Sequence, residues 1–126
     1  MKLVKHEEAL LRQPPGPNAP TVTVFFGGVE GGPDVGLVRV RVPAGGGMSA
    51  HRHGGSDVIL TPTAGVVRIS KGAESVEVHV GDSVLISKEE EVALTNPGNS
   101  TAEVIVAAGP ANFVAGILRW PEPVKD

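Results

Sequence analysis

The chain has no cysteine and no tyrosine, and its aromatic side chains are one tryptophan and three phenylalanines. Without cysteine there is no disulfide framework and no thiolate chemistry. With only Phe25, Phe26, Phe113 and Trp120 as aromatic rings, stacking on sugar rings is poorly supported, and a nucleotide-sugar epimerase would call for more aromatics and a longer chain. The formal net charge is −3 and the sequence pI about 5.8, so the chain carries no cationic field of the kind that nucleic acid or anionic membranes attract. No long apolar run is present, and the N-terminal MKLVKHEEALLRQ carries Glu7 and Glu8. It reads as neither a signal peptide nor a membrane span. The expectation is a cytoplasmic protein.

What the sequence does hold is valine, glycine and proline. The 126 residues suit one domain, and the 17 Gly and 11 Pro are spread along it. Valine favours strands, and glycine and proline punctuate turns. Residues 2–12 mix good helix formers with apolar positions and predict a short helix. The PPGPNAP run at 14–20 ends it, because proline lacks an amide donor. Strands are then predicted at 21–26, at 35–42 with Val38, Val40 and Val42 inward, and on either side of Pro62–Gly65. Further strands follow at 75–80, 83–87, 92–96 and 102–108. Short strands with turn signals every eight to twelve residues or so are the pattern of a sandwich or barrel.

The chemistry concentrates between Gly45 and Gly65, in GGGMSAHRHGGSDVILTPTAG. Side chains at i and i+2 leave the same face of a strand. His51 and His53 can therefore point together into one cavity and grip one ion. Imidazole suits zinc, iron, copper or nickel. Asp57, four residues after His53, is the candidate third ligand. His79 falls on the face opposite Val76, Val78 and Val80 and reads as a surface residue. His6 reads as a solvated residue of the first segment.

These residues resemble the cupin superfamily. Its first motif is a glycine, five residues, His-x-His, three or four residues, Glu, six residues, glycine. The chain offers Gly45, five residues, His51, Arg52, His53, three residues, Asp57, seven residues, Gly65. The second motif is glycine, five residues, Pro-x-Gly, two residues, His, three residues, Asn. Here Gly81 and Asn96 stand at its ends, Ser87 takes the proline position, Glu89 the glycine position and Val92 the histidine position. Fifteen residues separate Gly65 from Gly81, the spacing of small bacterial cupins.

The resemblance implies an all-β jelly roll of two antiparallel sheets. Residues 1–20 would form an N-terminal extension, 21–108 the barrel and 109–126 a C-terminal segment. It also implies a metal site of four ligands, of which valine at 92 removes one. That leaves His51, His53 and Asp57 for one divalent ion, Fe, Mn, Zn or Ni, with water in the open positions. Glu90 shares the strand parity of Val92, but the KEEE run around it reads as a solvated turn. Two functions follow. One is a metal-dependent enzyme acting on a small molecule, of dioxygenase, isomerase or decarboxylase type. The other is a non-catalytic small-ligand binding or sensing domain with an eroded site. Small cupins commonly pair, and a homodimer is expected through two apolar segments outside the motifs, 21–28 and 112–124, with Trp120 at the interface.

Overall fold

Residues 1–123 are described by a computed structural model of the chain; Val124, the end of the apolar C-terminal stretch, lies outside the described residues. Among the described residues ten strands form two antiparallel sheets. They are β1 (Leu10–Arg12), β2 (Thr21–Phe26), β3 (Gly36–Val42), β4 (Gly47–His51) and β5 (Asp57–Ala64), followed by β6 (Val66–Lys71), β7 (Glu74–His79), β8 (Val84–Ile86), β9 (Val92–Thr95) and β10 (Ala102–Gly109). One sheet has the order β1-β2-β3-β10-β5-β8 and the other β4-β9-β6-β7. From β3 onwards the chain crosses back and forth between the sheets, which is the winding of a jelly roll.

The alternating valines make the core. Val38 and Val42 of β3, Val104 and Val106 of β10, Val58 and Leu60 of β5, and Val67 and Ile69 of β6 are all buried between the sheets. Their register is continuous across the larger sheet, with Val104 opposite both Val40 and Pro62, and Val106 opposite Val38 and Leu60. On β7 the valine pattern holds in direction only. Val78 is buried, but Val76 is exposed because β7 lies at a sheet edge, and Val80, just past the end of the strand, is exposed as well.

Two expectations are corrected here. Residues 2–12 do not form a helix. A short 3-10 turn spans His6–Glu8, and Leu10–Arg12 pairs with Val22–Val24 as β1. A helix this short is marginal in water, whereas the edge of β2 offers the segment backbone partners. The two apolar segments expected to seek a second copy are also accommodated within the chain. Strand β2 lies between β1 and β3 with Val22 and Val24 in the core. The C-terminal segment, a 3-10 turn at Ala111–Phe113 and the helical turn α1 (Val114–Ile117), packs Val114 and Ile117 fully and Phe113, Leu118 and Trp120 partly onto the same core.

Close backbone approach fixes β4 against β9. A Cβ at Gly47 would collide with the Leu94 carbonyl, so only glycine fits there. Asn96, 2% exposed, holds the end of β9. Its amide donates to the carbonyls of Val42 (2.9 Å) and Ser100 (2.8 Å), and its Oδ1 accepts from the Gly98 amide (2.9 Å). Its backbone exchanges hydrogen bonds with Gly45 and Gly46. Among the described residues no helix is long and apolar enough to cross a membrane.

Asn96→Ala leaves buried carbonyls without a donor, which costs about 1–3 kcal/mol. Chemical denaturation should show a loss of that size with the far-ultraviolet spectrum unchanged. A neutral outcome would contradict the role given to this side chain.

Candidate functional site

His51 closes β4, and its cross-strand partner is Val92 of β9. His53 follows in a tight turn that the Ser56 amide closes onto the His53 carbonyl (3.2 Å). The two rings meet edge to face, with centroids 4.8 Å apart, and their Nε2 atoms stand 3.2 Å apart. The pairing inferred from the i, i+2 spacing is present. Phe113, from the C-terminal segment, packs edge-on against His53 at 5.5 Å.

The protonation pattern of the pair follows from its partners. His51 Nδ1 lies 2.9 Å from the Ser49 carbonyl, which can only accept, so Nδ1 carries the proton and Nε2 the lone pair. His53 Nε2–H therefore donates to His51 Nε2, and the lone pair of His53 falls on Nδ1. That Nδ1 is buried without a hydrogen-bond partner. Burial, and then the neighbouring His51, lower the His53 pKa from 6.5 to about 4.

The pair faces a cavity of about 520 Å³ between the sheets, with walls of valine, leucine and isoleucine. Phe113, Ile117 and Trp120 cover one side of it. The C-terminal segment is held there from both ends. The buried Ser56 hydroxyl donates to the Pro110 carbonyl, and Arg12 Nε donates to the Leu118 carbonyl (3.3 Å).

Asp57 does not join the histidines. Its carboxylate accepts from the Lys88 amide (3.0 Å) and lies 3.9 Å from Lys88 Nζ. Strand parity explains this. On β5 the inward positions are Val58, Leu60 and Pro62, so Asp57 points outward with Ile59 and Thr61. Counting four residues after His53 instead of three lands on Val58, and six more residues then separate it from Gly65. The spacing then matches the family's six residues where Asp57 gives seven, and Val58, 1% exposed on the cavity wall, takes the acid position. The second motif keeps its register. Glu89, at the family's glycine position, has φ +61°, a left-handed conformation that glycine adopts freely and other residues rarely do. Val92 lines the cavity opposite His51. Glu90 bonds to Lys71 (3.2 Å), and His79 is exposed beside Asp82.

Does this arrangement fit a resident metal? Two nitrogens on one zinc ion, each about 2.0–2.1 Å from it, stand about 2.9–3.4 Å apart at right to tetrahedral angles, so a 3.2 Å separation suits a shared ion as well as a hydrogen bond. The surroundings do not complete the fit. Among the described residues no three His, Cys, Asp or Glu side chains gather into a ligand group. A metal-bound histidine also needs an acceptor for its other ring N–H. His51 has one in Ser49, but His53 Nδ1 has none.

A two-sheet β barrel with a histidine pair facing its interior defines a cupin-type protein. The family model described as "Cupin domain" matches residues 38–108, more than half of the sequence, and the chain belongs to that family. No curated protein matches it. Among solved structures, an RmlC-like cupin from Shewanella frigidimarina superposes with a TM-score of 0.69 at 12% identity, covering 88% of this chain and 92% of that one. The cupin domain of Cnp3 from Schizosaccharomyces pombe gives 0.65 at 11% identity, with 82% and 73% covered. An oxalate oxidase in complex with glycolate gives 0.65 at 23% identity; 77% of this chain matches 54% of that one. At these identities the likeness is one of fold.

The lowered pKa makes stability pH-dependent with a definite sign. Between pH 6.5 and about 4 the unfolded chain binds a proton at His53 that the folded chain does not. Folding stability therefore falls as pH drops through that window. Urea midpoints at pH 7 and pH 5 should drop less for His53→Gln than for the wild type. Equal drops would contradict the burial of a neutral His53.

Proposed function

We propose that the protein is a small-molecule-binding cupin, with the apolar cavity as its binding site and the His51–His53 pair as the polar anchor. One observation carries this reading. The two inward positions that would complete a four-ligand metal site, Val58 and Val92, are buried valines on the cavity wall. Concave, mostly apolar pockets with a few convergent polar groups are the usual form of small-molecule sites.

The spacing of the two Nε2 atoms favours a second reading, a metal-dependent enzyme. In that reading a divalent ion such as Fe, Mn, Zn or Ni would be held by His51 and His53, with Asp57 as third ligand only after it leaves Lys88. Bound there, a metal would supply Lewis-acid chemistry to a chelating substrate. The oxalate oxidase above binds a small hydroxy acid, glycolate, in a related fold. A chemistry of that kind is the form this second reading takes.

Metal titration separates the two. Calorimetry with Co(II) or Zn(II) should show weak uptake by the wild type, lost in His51→Ala/His53→Ala without unfolding. Val92→His should tighten it, and Val58→Glu/Val92→His should tighten it at least tenfold more, because both changes point into the cavity. Stoichiometric metal in the wild type as purified would favour the enzyme reading. No gain in either variant would contradict the motif alignment.

For the assembly we propose a homodimer through the outer face of the larger sheet. Ile59 and Leu85 are cross-strand partners there, 48% and 59% exposed, and Leu37 and Ala107 continue the same row. An exposed apolar row of this kind marks an interaction surface. Light scattering should give twice the chain mass, and Leu85→Lys should give monomer. A wild-type monomer at micromolar concentration would end this proposal.

A further inference from the structure

We propose that the cavity takes a molecule with an uncharged hydrocarbon body and a single hydroxyl head, that the head inserts between His51 and His53, and that Phe113 sets the size of the body. This rests on the ligand-binding reading above.

The walls decide the body. Among the described residues no carboxylate, hydroxyl or ammonium side chain lines the cavity. Its charged residues are Arg52 and Arg119, both exposed, with Arg52 engaged by Glu91 at 3.3 Å. These guanidiniums and the Asn112 amide are exposed, so away from that rim a buried ionised group would have no counter-charge, and each hydroxyl of a polyol beyond the one at the histidines would lose water without gaining a partner. Sugars, nucleotides and dicarboxylates are disfavoured for that reason. Hydrocarbon against Val58, Leu60, Ile69 and Leu94 is favoured.

The histidine pair decides the head. Held as described, it presents one lone pair, on His51 Nε2, and one N–H, on His53 Nε2. A hydroxyl both donates and accepts. Placed between the rings, it gives its proton to His51 Nε2 and accepts from His53 Nε2–H. The rings part from their 3.2 Å separation to admit the oxygen, the direct bond is replaced by two, and neither Nε2 is left unpaired. A carboxylate only accepts, and would set a negative oxygen against the His51 lone pair.

Phe113 limits the space. It packs on His53 and lines the cavity, on a segment fixed by Ser56 and Arg12. A smaller side chain lengthens the cavity beside the head.

The test uses the full chain and the alkan-1-ols from butanol to octanol, read by calorimetry and by the fluorescence of Trp120, the sole tryptophan, which lines the cavity. Affinity should rise about fourfold per added methylene until the cavity is full, and hexan-1-ol should bind more tightly than hexanoate. His51→Ala should weaken hexan-1-ol at least fivefold. Phe113→Ala should move the break in the series to a longer alcohol, and the milder Phe113→Leu should do so by a smaller step. Tighter binding of hexanoate, oxalate or glucose than of hexan-1-ol would overturn the ligand class while leaving a binding pocket in place. A break unmoved in both Phe113 variants would overturn the role of Phe113. Failure of every probe to bind would overturn the binding reading and this inference with it.

Discussion

The close approach of β4 to β9 is the constraint on which the site depends. Gly47 lies against the Leu94 carbonyl where no side chain would fit, and Asn96 ties the end of β9 to the loop that leads into β4. From that lock the register shifts by one residue between Met48 and His51, and this irregularity sets His51, in place of Ala50, opposite Val92 and on the wall of the cavity. The turn after β4 brings His53 beside it. The polar pair of the barrel is thus positioned by backbone geometry, and the side chains around it are free to be apolar.

That freedom has been used on both neighbouring strands. Val58 and Val92 stand where the family pattern has an acid and a histidine, and both are buried in the core. Hydrophobic burial accordingly stabilises the barrel through the very positions that would otherwise hold charged or metal-bound groups. The cost falls on His53. Its ring sits against Phe113 with an unpartnered Nδ1, and its pKa is pushed down to about 4. With valine at both neighbouring positions the two imidazoles have each other as nearest polar side-chain partner, and that is what supports the proposal of a binding pocket.

Much of this was legible in the sequence. The period-two valines identify the strands, because their inward positions form one continuous core, and the motif spacing identifies the jelly roll. The i, i+2 spacing correctly pairs His51 with His53, although β4 ends at His51 and a turn, not a strand, places His53. Asp57 was misleading because an acid beside two histidines is chemically persuasive, while its direction depends on the single residue of slack between the turn and β5. Strand pairing removes that slack: Val58 is opposite both Ile86 and Ala108, so Asp57 faces out. The C-terminal segment was illegible for another reason. Its apolar residues announce burial but not the surface that buries them, and only the assembled barrel shows that surface to be the cavity's own rim. Residues 2–12 have helix-forming composition, and the edge of β2 overrides it.

The central claim is that the two histidines are bonded to each other and not to a resident ion. The ¹⁵N spectrum of the histidine-labelled protein, recorded as purified at neutral pH, tests it directly. The account predicts a protonated Nδ1 on His51, a protonated Nε2 on His53 and a free lone pair on His53 Nδ1. Protonated Nδ1 on both rings, with both Nε2 atoms shifted by coordination, would contradict it.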